Sequence, residues 1–347
     1  MTASHQPAAP VPPPQPPSPS SPPGPPVSTD ILGEPWVARR IPVTPSPKAP
    51  GADHAVLVHQ RGAGGRHARA VLYIHGRNDY FFQTHVAQAF LNAGYEFYAL
   101  DLRACGRAGA GHPSPHDVRD LRVHDEEIAE ALRIIRAEHG HGRVVINGHS
   151  TGGLQASIWA ADHPGTVEAL VLNSPWLDLR GSALLRSYGS ALVDLISRRA
   201  PERELDEPGT GRKDKPHAYV QALHRQWAGE WDWDLALKPC ESFPVRAGFI
   251  AGVRRLHREV HHGLGIAVPI LVCCSTTTGP VNPSLEEARR TDVVLSVEQI
   301  IDRAPFLGHD VTVRQIPHGA HDLALSERAA REEYLAAVVD WLATRLG

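Results

Sequence analysis

Val144-Val145-Ile146-Asn147-Gly148-His149-Ser150-Thr151-Gly152-Gly153 is the stretch on which the fold turns. An apolar run stops at Gly148, a serine follows two residues later, and an alanine-rich segment then continues as a helix, Gly152–Ala161. Such a run suits a strand buried on both faces of a parallel sheet. The G-x-S-x-G pattern at its end predicts a tight strand-to-helix turn, where small flanking residues prevent clashes and the serine hydroxyl stands at the sheet's C-terminal edge. Ser150 is the candidate nucleophile.

The same rhythm extends in both directions. Ala70–Ile74 is another apolar run, ending in His75-Gly76, and Phe82, Val86 and Phe90 mark one face of a helix that Gly94 stops. Strand Tyr95–Leu100 and helix Asp125–His139 precede the central motif. Val167–Leu172, Val268–Cys274 and Val311–Ile316 read as later strands, Ser296–Arg303 and Glu327–Leu346 as helices. The last helix sets Leu335, Val339, Leu342 and Leu346 on one stripe. Trp36–Val43 and Ala55–His59 look like short leading strands. The alternation predicts an α/β fold with a mainly parallel central sheet and helices on both faces.

Two regions break the rhythm. Residues 1–30 carry eleven prolines from Pro10 to Pro26 and cannot pack a core, which predicts a disordered or polyproline-II tail ahead of one domain spanning 31–347. Residues 181–264, with Trp227, Trp231 and Trp233, read as an insertion over the sheet. Trp231 and Trp233 are candidates to floor an apolar substrate pocket, or else to anchor the insertion.

The chain of 347 residues is 42% apolar and 21% charged, with a net charge of −3, as in ordinary globular proteins and without the basic excess of a nucleic-acid binder. Its four cysteines form no CxxC pair, and no stretch is long and apolar enough for a membrane span or a signal peptide. A cytoplasmic protein without an integral membrane segment is expected. The partner of the proline-rich tail, if one exists, is not legible.

A serine nucleophile needs a base. Among 21 histidines, position decides. In a G-x-S-x-G fold the order is serine, acid, histidine, with the histidine after the last strand. Ile316-Pro317-His318-Gly319-Ala320-His321-Asp322 is that loop, and His321, close to the final helix, is the expected base. Asp292, which opens Asp292-Val293-Val294-Leu295, is the expected acid; a helix cap is the competing reading. Asp310 and Asp322 are rivals, and the long Ser275–Arg290 interval between strand and acid is unaccounted for. The amides of Arg77 and Thr151 are the expected oxyanion donors.

At these residues the sequence resembles the monoacylglycerol lipase and lysophospholipase-like α/β hydrolases, often labelled serine aminopeptidase S33-like. The matching pieces are Tyr73-Ile74-His75-Gly76, Asp101-Leu102-Arg103-Ala104-Cys105-Gly106-Arg107, Gly148-His149-Ser150-Thr151-Gly152, and Asp292-Val293-Val294-Leu295 with His321 downstream. Ala104 stands where the family has glycine, and Ala108 where serine is usual. The resemblance covers roughly residues 51–347 and implies the α/β-hydrolase fold, a helical cap after the strand carrying Asn173, and hydrolysis of a carboxylic ester, often a lipid.

No dinucleotide or phosphate-binding glycine pattern is present, so no cofactor is expected. His257 and His261, four apart, could share a helix face, but H-E-x-x-H is absent and no metal is expected. Two further readings share the scaffold: an acyltransferase or thioesterase using the same three residues, and a non-catalytic binding protein of the same fold.

Overall fold

The computed structural model describes residues 27–180, 195–205 and 217–347. The proline-rich segment up to residue 26 and parts of the expected insertion lie outside the described residues.

Among the described residues, nine strands form one sheet: β1 (Val27–Thr29), β2 (Trp36–Pro42), β3 (His54–Gln60), β4 (Arg69–Ile74), β5 (Tyr95–Asp101), β6 (Arg143–His149), β7 (Ala169–Asn173), β8 (Ile270–Ser275) and β9 (Val311–Ile316). Their spatial order is β1-β2-β3-β5-β4-β6-β7-β8-β9. Strands β4 to β9 run parallel, and β1, β2 and β3 add on antiparallel. Reversal of the strand order around β4 puts its C-terminal end, next to that of β6, at the crevice where open α/β sheets bind ligands.

Alternate strand residues supply two cores. Leu72, Ile74, Val144 and Ile146 face helices Asp125–Arg133, Thr151–Asp162 and Val297–Arg303. Val71, Tyr73 and Val145 face helices Thr84–Asn92 and Arg328–Leu346. The final helix buries Ala330, Tyr334, Val338, Trp341 and Leu342, a stripe rotated from the expected one, because Tyr334 and Trp341 carry more surface than the leucines they displace.

Two boundaries differ from expectation. The segment through residue 30 was expected to be tail, yet Val27–Thr29 pairs with Val37–Arg39, and buried Asp30 receives Arg107 at 2.5 and 2.8 Å. The insertion, expected through 264, contains helix Ala247–His262, whose Phe249, Val253, Leu256 and Val260 share the sheet's core. This helix covers the sheet. Its His257 donates to the Trp176 carbonyl at 2.8 Å, and its His261 lies 3.3 Å from Asp178. What lies above the sheet edge is a third cluster of Tyr80, Phe82, Val220, Leu223, Trp233 and Leu237. No described helix is long and apolar enough to cross a membrane.

Candidate active site

The end of β6 turns into its helix through Ser150, at φ 52° and ψ −115°, a conformation that L-residues rarely hold. Two glycines leave the room. A Cβ on Gly148 would stand 2.5 Å from the Gly152 carbonyl oxygen, and one on Gly152 would stand 2.3 Å from that of Ile74. The turn is secured by the Ser150 amide donating to the Asn173 carbonyl at 2.9 Å.

Ser150 Oγ lies 3.1 Å from His321 Nε2, and His321 Nδ1 lies 3.0 Å from Asp292 Oδ2. All three residues are buried. Asp292 Oδ1 accepts the amides of Val294 at 2.9 Å and Leu295 at 2.7 Å, so the turn that could have made it a mere cap also aims its second oxygen at the imidazole. Burial alone would raise this carboxyl, but His321 and the two amides outweigh it and hold it below the ordinary carboxylate range.

The long interval before Asp292 is a detour with its own helix, Leu285–Arg290, opened by a Ser284–Glu287 capping box. The chain then returns: the Asp292 amide donates to the Thr277 carbonyl at 2.9 Å and the Gly279 amide to the Asp292 carbonyl at 2.8 Å. Asp292 is therefore stitched to the residues just past β8. Neither rival faces His321. Asp322 accepts from Asn173 Nδ2 at 2.7 Å, Gln83 Nε2 at 3.2 Å and its own turn, and Asp310 pairs with Arg345 at the far end of β9. His318 is exposed.

Arg77 and Thr151 flank Ser150 on the other side. Thr151 opens its helix, whose first amides lack intrahelical partners. Gly76 lets the Arg77 loop approach, since a Cβ there would be 3.1 Å from the Ser150 Cβ. The Arg77 guanidinium reaches Ser242 Oγ at 3.2 Å and the Phe243 carbonyl. His75 is a loop brace: its Nε2 accepts the Leu102 amide at 3.1 Å. A small cavity lies nearby, walled by Gly76, Arg77, Cys105, His116, Thr151 and Gln155 among others.

Trp231 and Trp233, expected at a pocket floor, line no part of that cavity. Trp233 Nε1 donates to the Lys238 carbonyl at 3.0 Å and its ring packs on Phe82; Trp231 Nε1 donates to the Leu325 carbonyl at 2.7 Å and its ring stacks on His85. Both indoles anchor the upper cluster, because their N–H groups find partners only in backbone carbonyls there.

Sequence reasoning missed a buried polar cluster beside His321. Asp79, His149 and Asp322 each offer a ligand atom within 4.8 Å of the others. The Lys238 ammonium, 2.7 Å from Asp79, already supplies positive charge at that point. Each of the three adjoins or nearly adjoins a site residue in sequence, which was the available signal.

The chain matches the family described as Serine aminopeptidase, S33 over residues 65–328. A monoacylglycerol lipase of Mycolicibacterium smegmatis (strain ATCC 700084 / mc(2)155) is 36% identical over 91 residues, 26% of this chain and 31% of that protein, so the chain matches under a third of the relative's length. Among solved structures, a thermostable carboxyl esterase from Bacillus coagulans in complex with glycerol superposes with TM-score 0.63 at 14% identity, covering 89% of this chain and 99% of that one. The Paleococcus ferrophilus monoacylglycerol lipase gives TM-score 0.58 at 18% identity, covering 81% and 96%. These likenesses agree with the sheet order and the Ser150 turn: the chain has the α/β-hydrolase fold and belongs to the serine aminopeptidase S33 family.

Proposed function

We propose that this chain is a serine hydrolase that cleaves a carboxylic ester through Ser150, His321 and Asp292. The observation that carries the reading is the hydrogen-bonded row from Ser150 Oγ to His321 to Asp292, at 3.1 and 3.0 Å. Ser150 Oγ attacks the ester carbonyl carbon as its proton passes to His321 Nε2. Negative charge on the carbonyl oxygen is met by the Arg77 and Thr151 amides. The carbon–oxygen bond to the alcohol breaks as His321 returns the proton to the departing oxygen. Water, deprotonated by His321, then attacks the acyl-enzyme, releases the acid and restores Ser150. Asp292 holds the imidazole in the tautomer with hydrogen on Nδ1 and stabilises its cation.

A lipidic ester of the monoacylglycerol kind is the substrate class that the mycobacterial relative supports. A cytoplasmic setting is part of the proposal, supported by four free, buried thiols. The test is labelling by a fluorophosphonate together with hydrolysis of p-nitrophenyl esters. Stoichiometric labelling of Ser150 and loss of turnover in Ser150→Ala are expected. A folded Ser150→Ala protein with full turnover would overturn the mechanism.

A further inference from the structure

The two amides assigned to the oxyanion are held in different ways. Thr151 is the first residue of a buried helix, so its place follows from the strand and helix on either side of Ser150. Arg77 stands in a loop. Beyond Gly76 the chain leaves β4 in a turn at Arg77 and Asn78, with Asn78 at φ 53°. A turn outside any helix or strand takes its position from what its side chains grip.

That grip comes from the insertion. Arg77 Nη1 donates to Ser242 Oγ at 3.2 Å and Nη2 to the Phe243 carbonyl. The Asn78 side chain is bonded at both ends: Nδ2 donates to the Pro239 carbonyl at 3.2 Å, and Oδ1 accepts the Phe243 amide at 3.2 Å. Asp79 Oδ1 accepts the Lys238 ammonium at 2.7 Å. Three consecutive loop residues thus reach one segment, 159 to 166 positions further along the chain.

The gripping segment is itself braced. Lys238 and Asp79 are both buried, where the lack of water strengthens their attraction. The ammonium lies 5.1 Å from the ring centre of Phe82 and 5.0 Å from that of Trp233, and the Lys238 carbonyl accepts Trp233 Nε1 at 3.0 Å. Trp233 fixes Lys238, and Lys238 fixes Asp79. An oxyanion donor must stand about 3 Å from the oxygen on which charge develops, and a displacement of about 1 Å costs roughly a hundredfold in rate. Resting on the serine-hydrolase reading, we infer that residues 238–243 of the insertion take part in the chemistry, with Asn78 and Lys238 as positioning residues that hold the Arg77 amide in place for the oxyanion. Because that charge appears in the transition state, loosening the loop lowers kcat and spares KM.

The experiment compares p-nitrophenyl butanoate with its thiono analogue, in which sulfur replaces the carbonyl oxygen, on the full chain. Sulfur is a weak acceptor, so the thiono ester has less to lose from a displaced amide. Asn78→Gly keeps the positive φ accessible and removes both side-chain bonds. Its kcat on the oxygen ester should fall by roughly ten- to a hundredfold with KM within about twofold, and the ratio of oxygen to thiono rates should fall by nearly the same factor. Lys238→Met combined with Asp79→Asn removes the ion pair without leaving a lone buried charge, and should act alike. A loss of folded protein would lower both rates equally and leave the ratio alone. Hydrogen exchange of a peptide spanning residues 75–82 should be faster in both variants than in the original protein. Variants that keep kcat, that lose it at an unchanged ratio, or that exchange this peptide no faster overturn the inference. So does a peptide that already exchanges in the original protein as fast as an unstructured chain, a result that needs no variant to fold. An original protein that neither hydrolyses butanoate nor takes up a fluorophosphonate would refute the serine-hydrolase reading, while hydrogen exchange would still report on the grip, so either proposal can fail alone.

Discussion

Asp292 Oδ2 points at His321 Nδ1 from 3.0 Å, while Asp322, the very next residue to the histidine, turns its carboxylate away to Asn173 at 2.7 Å. Adjacent side chains diverge along an extended backbone, so the carboxylate that meets the imidazole comes from 29 positions upstream and not from the sequence neighbour. Asp292→Asn should therefore lower kcat by about 10³–10⁴-fold with little change in KM, since the amide stabilises the wrong histidine tautomer. Asp322→Asn should instead act on stability, because its NH₂ would replace one accepting oxygen and face either Gln83 Nε2 or the pair Asn173 Nδ2 and Ala324 N, donors all. Steady-state kinetics beside thermal melts separate the two. A nearly silent Asp292→Asn with a crippled but stable Asp322→Asn would reverse the assignment.

Ser150 holds a positive φ of 52°, which glycine adopts without strain. Ser150→Gly should abolish ester hydrolysis and leave the melting temperature no lower than that of the original protein, since relief of about 1 kcal/mol or more of backbone strain offsets the glycine's extra chain entropy. A melting temperature several degrees lower would mean that the turn is held by the serine hydroxyl and not tolerated for it.

Removal of residues 1–26 should leave melting temperature and turnover unchanged. Removal of residues 1–30 should not. It deletes β1 and the Asp30 carboxylate that pairs with buried Arg107, leaving the guanidinium only Asp101 at 2.8 Å among its acidic partners. Taking one partner from a buried ion pair costs about 3 kcal/mol. Two truncations that melt together would show that the strand and the ion pair contribute nothing.

Glu127 is buried against Arg103 and His124. Burial would raise its carboxyl, but the bonds and charges of His124 and Arg103 prevail and bring it down from 4.5 to about 2. A carboxyl lowered by folding stabilises the folded state fully above its ordinary value, and that contribution is lost as pH falls from about 4.5 toward 2. Glu127→Gln should lower the melting temperature at pH 7 and flatten its fall between pH 5 and pH 3. Melts at pH 7, 5, 4 and 3 check both, and identical curves for the two proteins would refute the role.

Much of the architecture was legible because burial on two faces leaves a local trace. Continuous apolar runs such as Val144–Ile146 marked the parallel strands, and G-x-S-x-G marked a turn that only small neighbours permit, as the contacts of Gly148 and Gly152 show. The order serine, acid, histidine pointed to Ser150, Asp292 and His321, and these now stand in one hydrogen-bonded row.

What the chain pattern could not contain was anything settled by contacts between distant segments. The return of Asp292 to the end of β8 depends on backbone bonds to Thr277 and Gly279 across a fourteen-residue detour, invisible to periodicity. The first strand starts at Val27, four residues before the expected residue 31, and Asp30 just after it meets Arg107, 77 residues away. Trp231 and Trp233 could be read from the sequence either as a pocket floor or as anchors of the insertion; that their indole N–H groups meet the Leu325 and Lys238 carbonyls is set by the tertiary structure. His116, Gln155 and Thr151 share one cavity only because the loop after β5 folds back against the helix that Ser150 begins. Local sequence encodes which surfaces must leave water; which distant polar atoms then meet is fixed by packing alone, because each needs a partner that the same burial has brought within reach.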